Sequence, residues 1–317
     1  MSDESQLQVR PKGAESSLSL SRVPTGLIAR GRRDAEAIGR QTSETTDPLS
    51  KIRRLAEAGN PDAQHRLGYA YRKGEGVPQD NAEAVKWYRK AADAGLPSAQ
   101  FDLGAMYFNG LGIPQDSIEA AHWWRKAADA AHAEAQGNLG VLYADGRGVP
   151  QDHVEALKWY RKAADQDSIY GKFNLGLAYA YGRGVPQDYT EAVKWYREVA
   201  GQGDANGQAY LGNAYAYGKG VPQHYAEAAK WYRKAAEQGR ALAQLNVGLI
   251  YENGQGVAQD YVQAYMWFNL AAAGDTGGHQ KKYSSARDAV AAKMTPQQIA
   301  EAQRLAREWK PTPEDEG

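Results

Sequence analysis

Apolar residues recur through most of the chain at the spacing of one α-helical face. Between Ala84 and Ala92 they stand at positions i, i+3, i+4, i+7 and i+8, which form a single stripe along a helix. An earlier stripe of the same kind runs through Ala63, Leu67 and Tyr71. The pattern therefore predicts two successive amphipathic helices.

A short loop separates these two helices. Residues 74–76 read Gly-Glu-Gly and are followed by Val-Pro, a combination that ends the first helix. Asp80 and Glu83 then stand where an aspartate N-cap and a glutamate three residues later satisfy the free backbone N–H groups of the second helix reciprocally. The segment thus predicts a helix–loop–helix hairpin.

The same hairpin returns at a fixed interval of 36 residues. The motif Val-Pro-Gln-Asp at 77–80 reappears first as Ile-Pro-Gln-Asp, then twice unchanged, and finally as Val-Pro-Gln-His and Val-Ala-Gln-Asp. A single hairpin cannot bury its apolar stripes alone, so we expect the units to stack around a continuous core. Six units follow from this register, at 60–95, 96–131, 132–167, 168–203, 204–239 and 240–275.

Two residue types recur at equivalent positions and define the predicted core. The second helices contribute a tryptophan column: Trp87, Trp123, Trp159, Trp195, Trp231 and Trp267. The first helices contribute a glycine column: Gly68, Gly104, Gly140, Gly176, Gly212 and Gly248. Because a mid-helix glycine costs about 1 kcal/mol relative to alanine, the glycine column predicts a close helix crossing that needs the missing Cβ. In the fourth unit Gly171 and Lys172 replace the Ala-Gln of most units, so its first helix is expected to begin differently.

The predicted fold is all-α: a right-handed α-solenoid of six 36-residue helix-pair repeats with helical caps. Residues 50–59 resemble the end of a preceding unit and are expected to form an N-terminal capping helix. Residues 276–310 are expected to form C-terminal capping helices, with a capping box in Thr-Pro-Gln-Gln at 295–298. Residues 1–49 are predicted to be a disordered tail and residues 311–317 an acidic tail.

Composition narrows the range of functions. Lys plus Arg equals Asp plus Glu at 38 each, so the chain has no net charge to attract nucleic acid or an anionic membrane surface. There is no cysteine, which removes thiol catalysis, thiolate metal sites and disulfides. Neither a secretory signal nor a membrane-spanning stretch is predicted, so we expect a cytoplasmic protein that does not insert into membranes.

The sequence carries no pattern typical of a catalytic or cofactor site. The six histidines form no i, i+4 pair and no His-Glu-x-x-His motif. The Gly-x-Gly loops lack the features of nucleotide-binding loops, and no serine-acylation motif occurs. We therefore expect no enzymatic activity, no cofactor, no metal and no small-molecule substrate.

Three motifs shared by the units carry a resemblance to a known family. Ala-x-x-x-Leu-Gly-x-x-Tyr, Gly-x-Gly-Val-Pro-Gln-Asp and Ala-x-x-Trp-Tyr-x-x-Ala-Ala resemble the Sel-one-like repeat, a relative of the tetratricopeptide repeat, over residues 50–275. The resemblance, which is to bacterial members, implies a scaffold or adaptor that holds a partner protein or peptide in a concave groove of first helices, for complex assembly or signalling. The alternative is a β-lactam-binding or hydrolysing enzyme of the kind linked to cysteine-rich relatives.

First-helix positions that face away from the predicted core should carry the partner-binding residues. These candidates are Tyr69, Phe101, Phe108, Asn109, Asp145, Phe173, Tyr181, Asn213, Tyr217 and Asn253. Exposed aromatic residues are typical of binding hot spots. For Phe101 and Phe173 the alternative is packing between neighbouring first helices. A separate stretch, Thr25–Gln41, is interpreted either as a short docking helix or as part of a plain tail.

Overall fold

The computed structural model describes residues 48–312, in which all regular secondary structure is helical. The predicted disordered tail, including the stretch Thr25–Gln41, lies outside the described residues except for residues 48 and 49, which begin α1. Of the predicted acidic tail, only residues 311 and 312 are described. The fifteen helices in the described range are α1 (Pro48–Glu57), α2 (Pro61–Lys73), α3 (Asn81–Asp93), α4 (Pro97–Asn109), α5 (Ser117–Asp129), α6 (Ala133–Asp145), α7 (His153–Asp165), α8 (Ile169–Tyr181), α9 (Tyr189–Gly201), α10 (Ala205–Tyr217), α11 (Tyr225–Glu237), α12 (Ala241–Asn253), α13 (Tyr261–Gly274), α14 (Gln280–Ala291) and α15 (Pro296–Glu308).

Each helix from α1 to α13 packs on the next one in the chain, so the six hairpins stack in a single row. We call α2, α4, α6, α8, α10 and α12 the first helices and α3, α5, α7, α9, α11 and α13 the second helices. At one end α1 packs on α2, and at the other α14 and α15 both pack on α13. The fold is thus an all-α solenoid of helix-pair repeats, as the repeat pattern predicts.

The second helices begin at side chains that accept backbone hydrogen bonds. Asp80 accepts from the amides of Ala82 and Glu83 at 2.9 and 3.0 Å. The reciprocal half of the predicted cap is wrong, because the amide of Asp80 donates to the carbonyl of Tyr71 at the end of α2, 2.9 Å away. Since that donor is already used, Glu83 forms an ion pair with Lys86 in the following turn.

The glycine column lies directly under an aromatic ring of the second helix. A Cβ on Gly140 would lie 2.5 Å from Cε1 of Tyr160, and one on Gly104 would lie 2.5 Å from Cδ1 of Trp124. The predicted close approach is therefore confirmed, with a ring as its partner. These rings immediately follow the tryptophan column and are buried, whereas three of the six column tryptophans are only half-buried. These buried rings over the glycine column, which we call the ring column, form the centre of the core.

The fourth unit keeps the common register despite its different sequence. Helix α8 begins at Ile169, 36 residues after the start of α6, so the expectation of a different start is wrong. Lys172 is buried in place of the usual glutamine and pairs with Asp167 and, at 2.9 Å, with Glu198. Burial acts to lower the pKa of Lys172, but the two carboxylates outweigh it and hold that pKa above its usual value.

The turns between units require a left-handed backbone conformation. Four of them place a glycine there, with φ between 84 and 91°. Ala131 and Asp167 occupy the equivalent positions with φ of 61 and 65°. The left-handed conformation costs an L-residue with a Cβ roughly 1–2 kcal/mol. These two turns are therefore strained relative to the others.

We expect Ala131→Gly to raise the free energy of unfolding by about 1 kcal/mol, because glycine removes the Cβ from a left-handed position. The measurement is the midpoint of urea unfolding. The neighbouring Ala130→Gly is the control, since Ala130 has a φ of −84° and gains nothing from losing its Cβ. A fall in stability for Ala131→Gly would contradict the strain.

Candidate functional site on the inner surface

First helices of neighbouring units contact one another. The backbones of α6 and α8 make closer contact than those of any two successive second helices within residues 48–312. Side chains of first helices also meet across units. His65 pairs with Asp102 at 2.7 Å, and a Cβ on Gly137 would lie 2.7 Å from the ring of Tyr170. We call the surface formed by the first helices the inner surface.

Two of the predicted partner-binding residues are buried. Phe101 is 8% exposed and Phe108 is 2% exposed. The ring of Phe101 stacks on His132 at 4.8 Å between centroids, and Phe108 packs against Trp124 at 5.2 Å. The guanidinium of Arg147 lies 4.4 Å from the centre of the Phe108 ring. The predicted exposure of these two rings is wrong, because residues of the following unit cover them.

Three further candidates, Tyr69, Phe173 and Asn213, are half-buried. Phe173 meets the ring of Tyr210 edge-on at 5.2 Å, which is the packing between neighbouring first helices that the sequence left open as an alternative. Asn213 accepts a hydrogen bond from the hydroxyl of Tyr232 at 2.6 Å. These side chains support the stack, and only part of each surface is open to a partner.

The remaining five candidates, Asn109, Asp145, Tyr181, Tyr217 and Asn253, are exposed. The side-chain amides of Asn109 and Asn253 each donate to a backbone carbonyl of their own helix. Tyr181 and Tyr217 are 45% and 60% exposed and occupy the same position in units four and five. They are the two aromatic residues among the exposed large hydrophobic side chains of the described chain.

Three cations that the apolar pattern does not reveal follow the first helices of units three to five, and one of them contacts Tyr181. Arg147, Arg183 and Lys219 each follow the glycine that ends a first helix, in units three, four and five. The guanidinium of Arg183 lies 5.3 Å from the centre of the Tyr181 ring. In the other units the same loop position holds Glu, Leu or Gln. A comparison of this one position between units would have found the cations.

Burial and neighbouring charges set the acid–base properties of this part of the surface. Burial raises the pKa of Asp145, against the opposing effect of Arg147 and Arg183. Burial and the neighbouring Tyr181 raise the pKa of Tyr210 to about 12, so its hydroxyl is neutral at physiological pH. The inner surface of units three to five therefore combines tyrosine rings with Asp145 and three cations.

Neither a cluster of metal ligands nor a membrane-spanning helix occurs among the described residues. Within residues 48–312 no group of three or more His, Asp or Glu side chains is placed to hold a metal ion. None of the helices in that range is both long and apolar enough to cross a bilayer. What the described inner surface offers is a set of aromatic faces and charged groups suited to binding.

The sequence matches the Sel1 repeat family at six consecutive places. A Sel1 repeat protein from Oxalobacter formigenes is similar in structure, with 35% sequence identity and a TM-score of 0.64. The similarity covers 70% of this chain and 93% of that one. The six matches are residues 61–96, 97–132, 133–168, 169–204, 205–239 and 241–275.

Other solved structures are more distant. The protective antigen c5321 from uropathogenic Escherichia coli is 26% identical, covers 83% of this chain and 94% of its own, and has a TM-score of 0.32. The immunity protein Pa5087 from Pseudomonas aeruginosa is 20% identical, covers 73% of this chain and 82% of its own, and has a TM-score of 0.43. No curated protein matches the sequence.

Proposed function

Because the chain belongs to the Sel1 repeat family, we propose that it is a scaffold that binds a partner protein or peptide along the inner surface of its first helices. Sel1 repeat proteins are generally protein-interaction scaffolds. In this proposal the protein acts without catalysis in the bacterial cytoplasm, in complex assembly or in the regulation of signalling. The surface formed by its six first helices has side chains that differ from unit to unit while the core columns stay constant, a combination suited to specific binding.

The exposure of Tyr181 and Tyr217 is the observation that carries this proposal. The equivalent position in the other units holds Lys73, Asn109, Asp145 or Asn253, so packing does not demand an aromatic ring there. Tyrosine combines a large apolar face with a hydroxyl that can bond to a partner, which is why tyrosines are enriched in binding hot spots. Two of them one repeat apart on the inner surface are suited to holding a protein segment.

We expect Tyr181→Ala/Tyr217→Ala to lose the proteins that the wild-type chain captures from native lysate. Both side chains are exposed, so the free energy of unfolding should change by only about 0.5 kcal/mol per site. The matched control is His122→Ala/Lys158→Ala, two exposed positions on second helices, which should retain the captured proteins. Captured proteins are identified by mass spectrometry and compared between the baits.

Three results would contradict parts of this proposal. Unchanged capture by the tyrosine variant would remove the inner surface as the site. Failure of the wild-type chain to capture any protein would count against the scaffold itself. Hydrolysis of nitrocefin by the purified protein would overturn the non-catalytic part and favour the β-lactam alternative.

A further inference from the structure

The loops that end the first helices of units three, four and five share one backbone conformation. In each loop two glycines with φ between 64 and 74° flank the cation. The second glycine lies so close to the start of the preceding second helix that a Cβ would collide with its backbone. The three side chains therefore leave the solenoid from equivalent loop positions, and we call this set the cationic row: Arg147, Arg183 and Lys219.

Aromatic rings rather than carboxylates hold the cationic row. Within the described residues none of the three side chains forms an ion pair or a side-chain hydrogen bond. Arg147 lies over Phe108, and Arg183 lies 5.3 Å from the centre of the Tyr181 ring. Lys219 lies 5.1 Å from the centre of the Tyr189 ring. Because a cation–π contact orders a side chain without neutralising it, the charges remain available to a ligand.

The carboxylates near the cationic row do not cancel it. Asp145 is close enough to feel the charges of Arg147 and Arg183. Asp152 and Asp188 each accept two backbone N–H groups at the start of a second helix, so their charges offset the positive ends of those helices. One carboxylate beside three cations leaves a local positive excess in a chain whose net charge is zero.

We propose that the cationic row, together with Tyr181 and Tyr217, binds an acidic segment of a partner protein. This inference rests on the proposed function and adds the chemical class of the bound segment. Guanidinium groups bind carboxylates through paired hydrogen bonds, and the adjacent tyrosine faces bind the apolar part of the same segment. Single-stranded nucleic acid requires a charged groove that follows many phosphates, which three cations beside Asp145 do not supply.

The test uses the full chain and a fluorescent peptide of about 15 residues that alternates glutamate with tyrosine, long enough at about 3.3 Å per residue to extend over several repeats. A second peptide has glutamine in place of every glutamate. By fluorescence anisotropy at low ionic strength, we expect the glutamate peptide to bind on the order of tenfold more tightly than the glutamine peptide. Added salt should weaken this binding, since exposed charges are screened.

The variant Arg147→Gln/Arg183→Gln/Lys219→Gln should lose on the order of tenfold in affinity for the glutamate peptide. The control Lys158→Gln/Lys194→Gln/Lys230→Gln removes the same charge from exposed second-helix positions of the same units and should bind like wild type. Equal affinity of wild type for the two peptides, or equal losses in both triple variants, would overturn the inference. Tighter binding of a labelled oligothymidylate through the cationic row would overturn it in favour of nucleic acid.

The capture experiment separates failure of this inference from failure of the proposed function. If Tyr181→Ala/Tyr217→Ala loses the captured proteins while the cationic-row variant keeps them, the inner surface binds a partner but the segment is not acidic. If both variants keep them, the inner surface is not the site and both proposals fail. Loss in both variants, together with selective binding of the glutamate peptide, is the result that we expect.

Discussion

Replacing Trp124 with alanine is expected to lower the free energy of unfolding by about 3–5 kcal/mol, because it deletes the largest fully buried side chain of the described core. The indole ring fills the space over Gly104, and its Nε1 donates to the carbonyl of Phe101 at 3.0 Å. Removing the ring leaves a cavity between α4 and α5 that the two helices can only partly close. Urea unfolding measures the loss.

The matched control is Trp124→Tyr. Four other units have tyrosine at this position of the second helix, in each case over a glycine of the first helix, so the local frame already accommodates that ring. We expect the tyrosine variant to lose about 1–2 kcal/mol. If the alanine and tyrosine variants unfold at the same urea concentration, the ring column is not the centre of the core.

The second large effect is expected for Gly148→Ala, which should cost about 2–4 kcal/mol. Gly148 has a φ of 72°, so any side chain there is strained. Its Cβ would also collide with the carbonyl oxygen of Ser117 at the start of α5, which is backbone and cannot rotate away. The loop of unit three would have to move away from unit two, which would open the contact between the units.

Gly95→Ala separates the two causes. Gly95 also has a positive φ, 89°, but a Cβ there would meet no atom within 4 Å. This variant should lose only the conformational term of about 1 kcal/mol. Hydrogen exchange should show the additional loss in Gly148→Ala as weaker protection in α5 and α6. Equal losses in both variants would show that the loop does not lock the units together.

The cationic row links this packing to the proposed binding. Because the second glycine of each loop holds the loop against the preceding unit, the position of Arg147 depends on the same contact that Gly148→Ala breaks. The Gly148→Ala variant should therefore bind the glutamate peptide less tightly than wild type, even in buffer without urea, where it stays folded. Repeat arrays transmit such changes mainly to their nearest neighbours, so Lys219 should be unaffected.

Much of the fold could be predicted from the sequence because its determinants are local. The stripe from Ala84 to Ala92 sets the helical period, the Gly-x-Gly loop ends each first helix, and Asp80 caps the second. All of these act within a few residues along the chain, and the strict repeat gives six copies of the same information. The glycine column was also informative, since a mid-helix glycine repeated six times requires a close neighbour.

Features that depend on the next unit were decided only by the tertiary structure. Phe108 and Tyr181 occupy neighbouring positions of the first helix, yet Phe108 is buried under Arg147 while Tyr181 is open. The helical period cannot separate such positions, because both lie at the boundary of the apolar stripe. Their exposure is set by side chains from another repeat, whose placement follows from how the units stack.

The sequence by itself determined the helix pairs, their register and the repeat family, since each rests on short-range periodicity and capping. The tertiary structure decided which first-helix residues are exposed and how the loops that carry Arg147, Arg183 and Lys219 are held against the preceding unit. Those properties arise between residues about one repeat apart. They depend on the angle and spacing at which neighbouring hairpins pack, and no pattern within a single hairpin encodes that geometry.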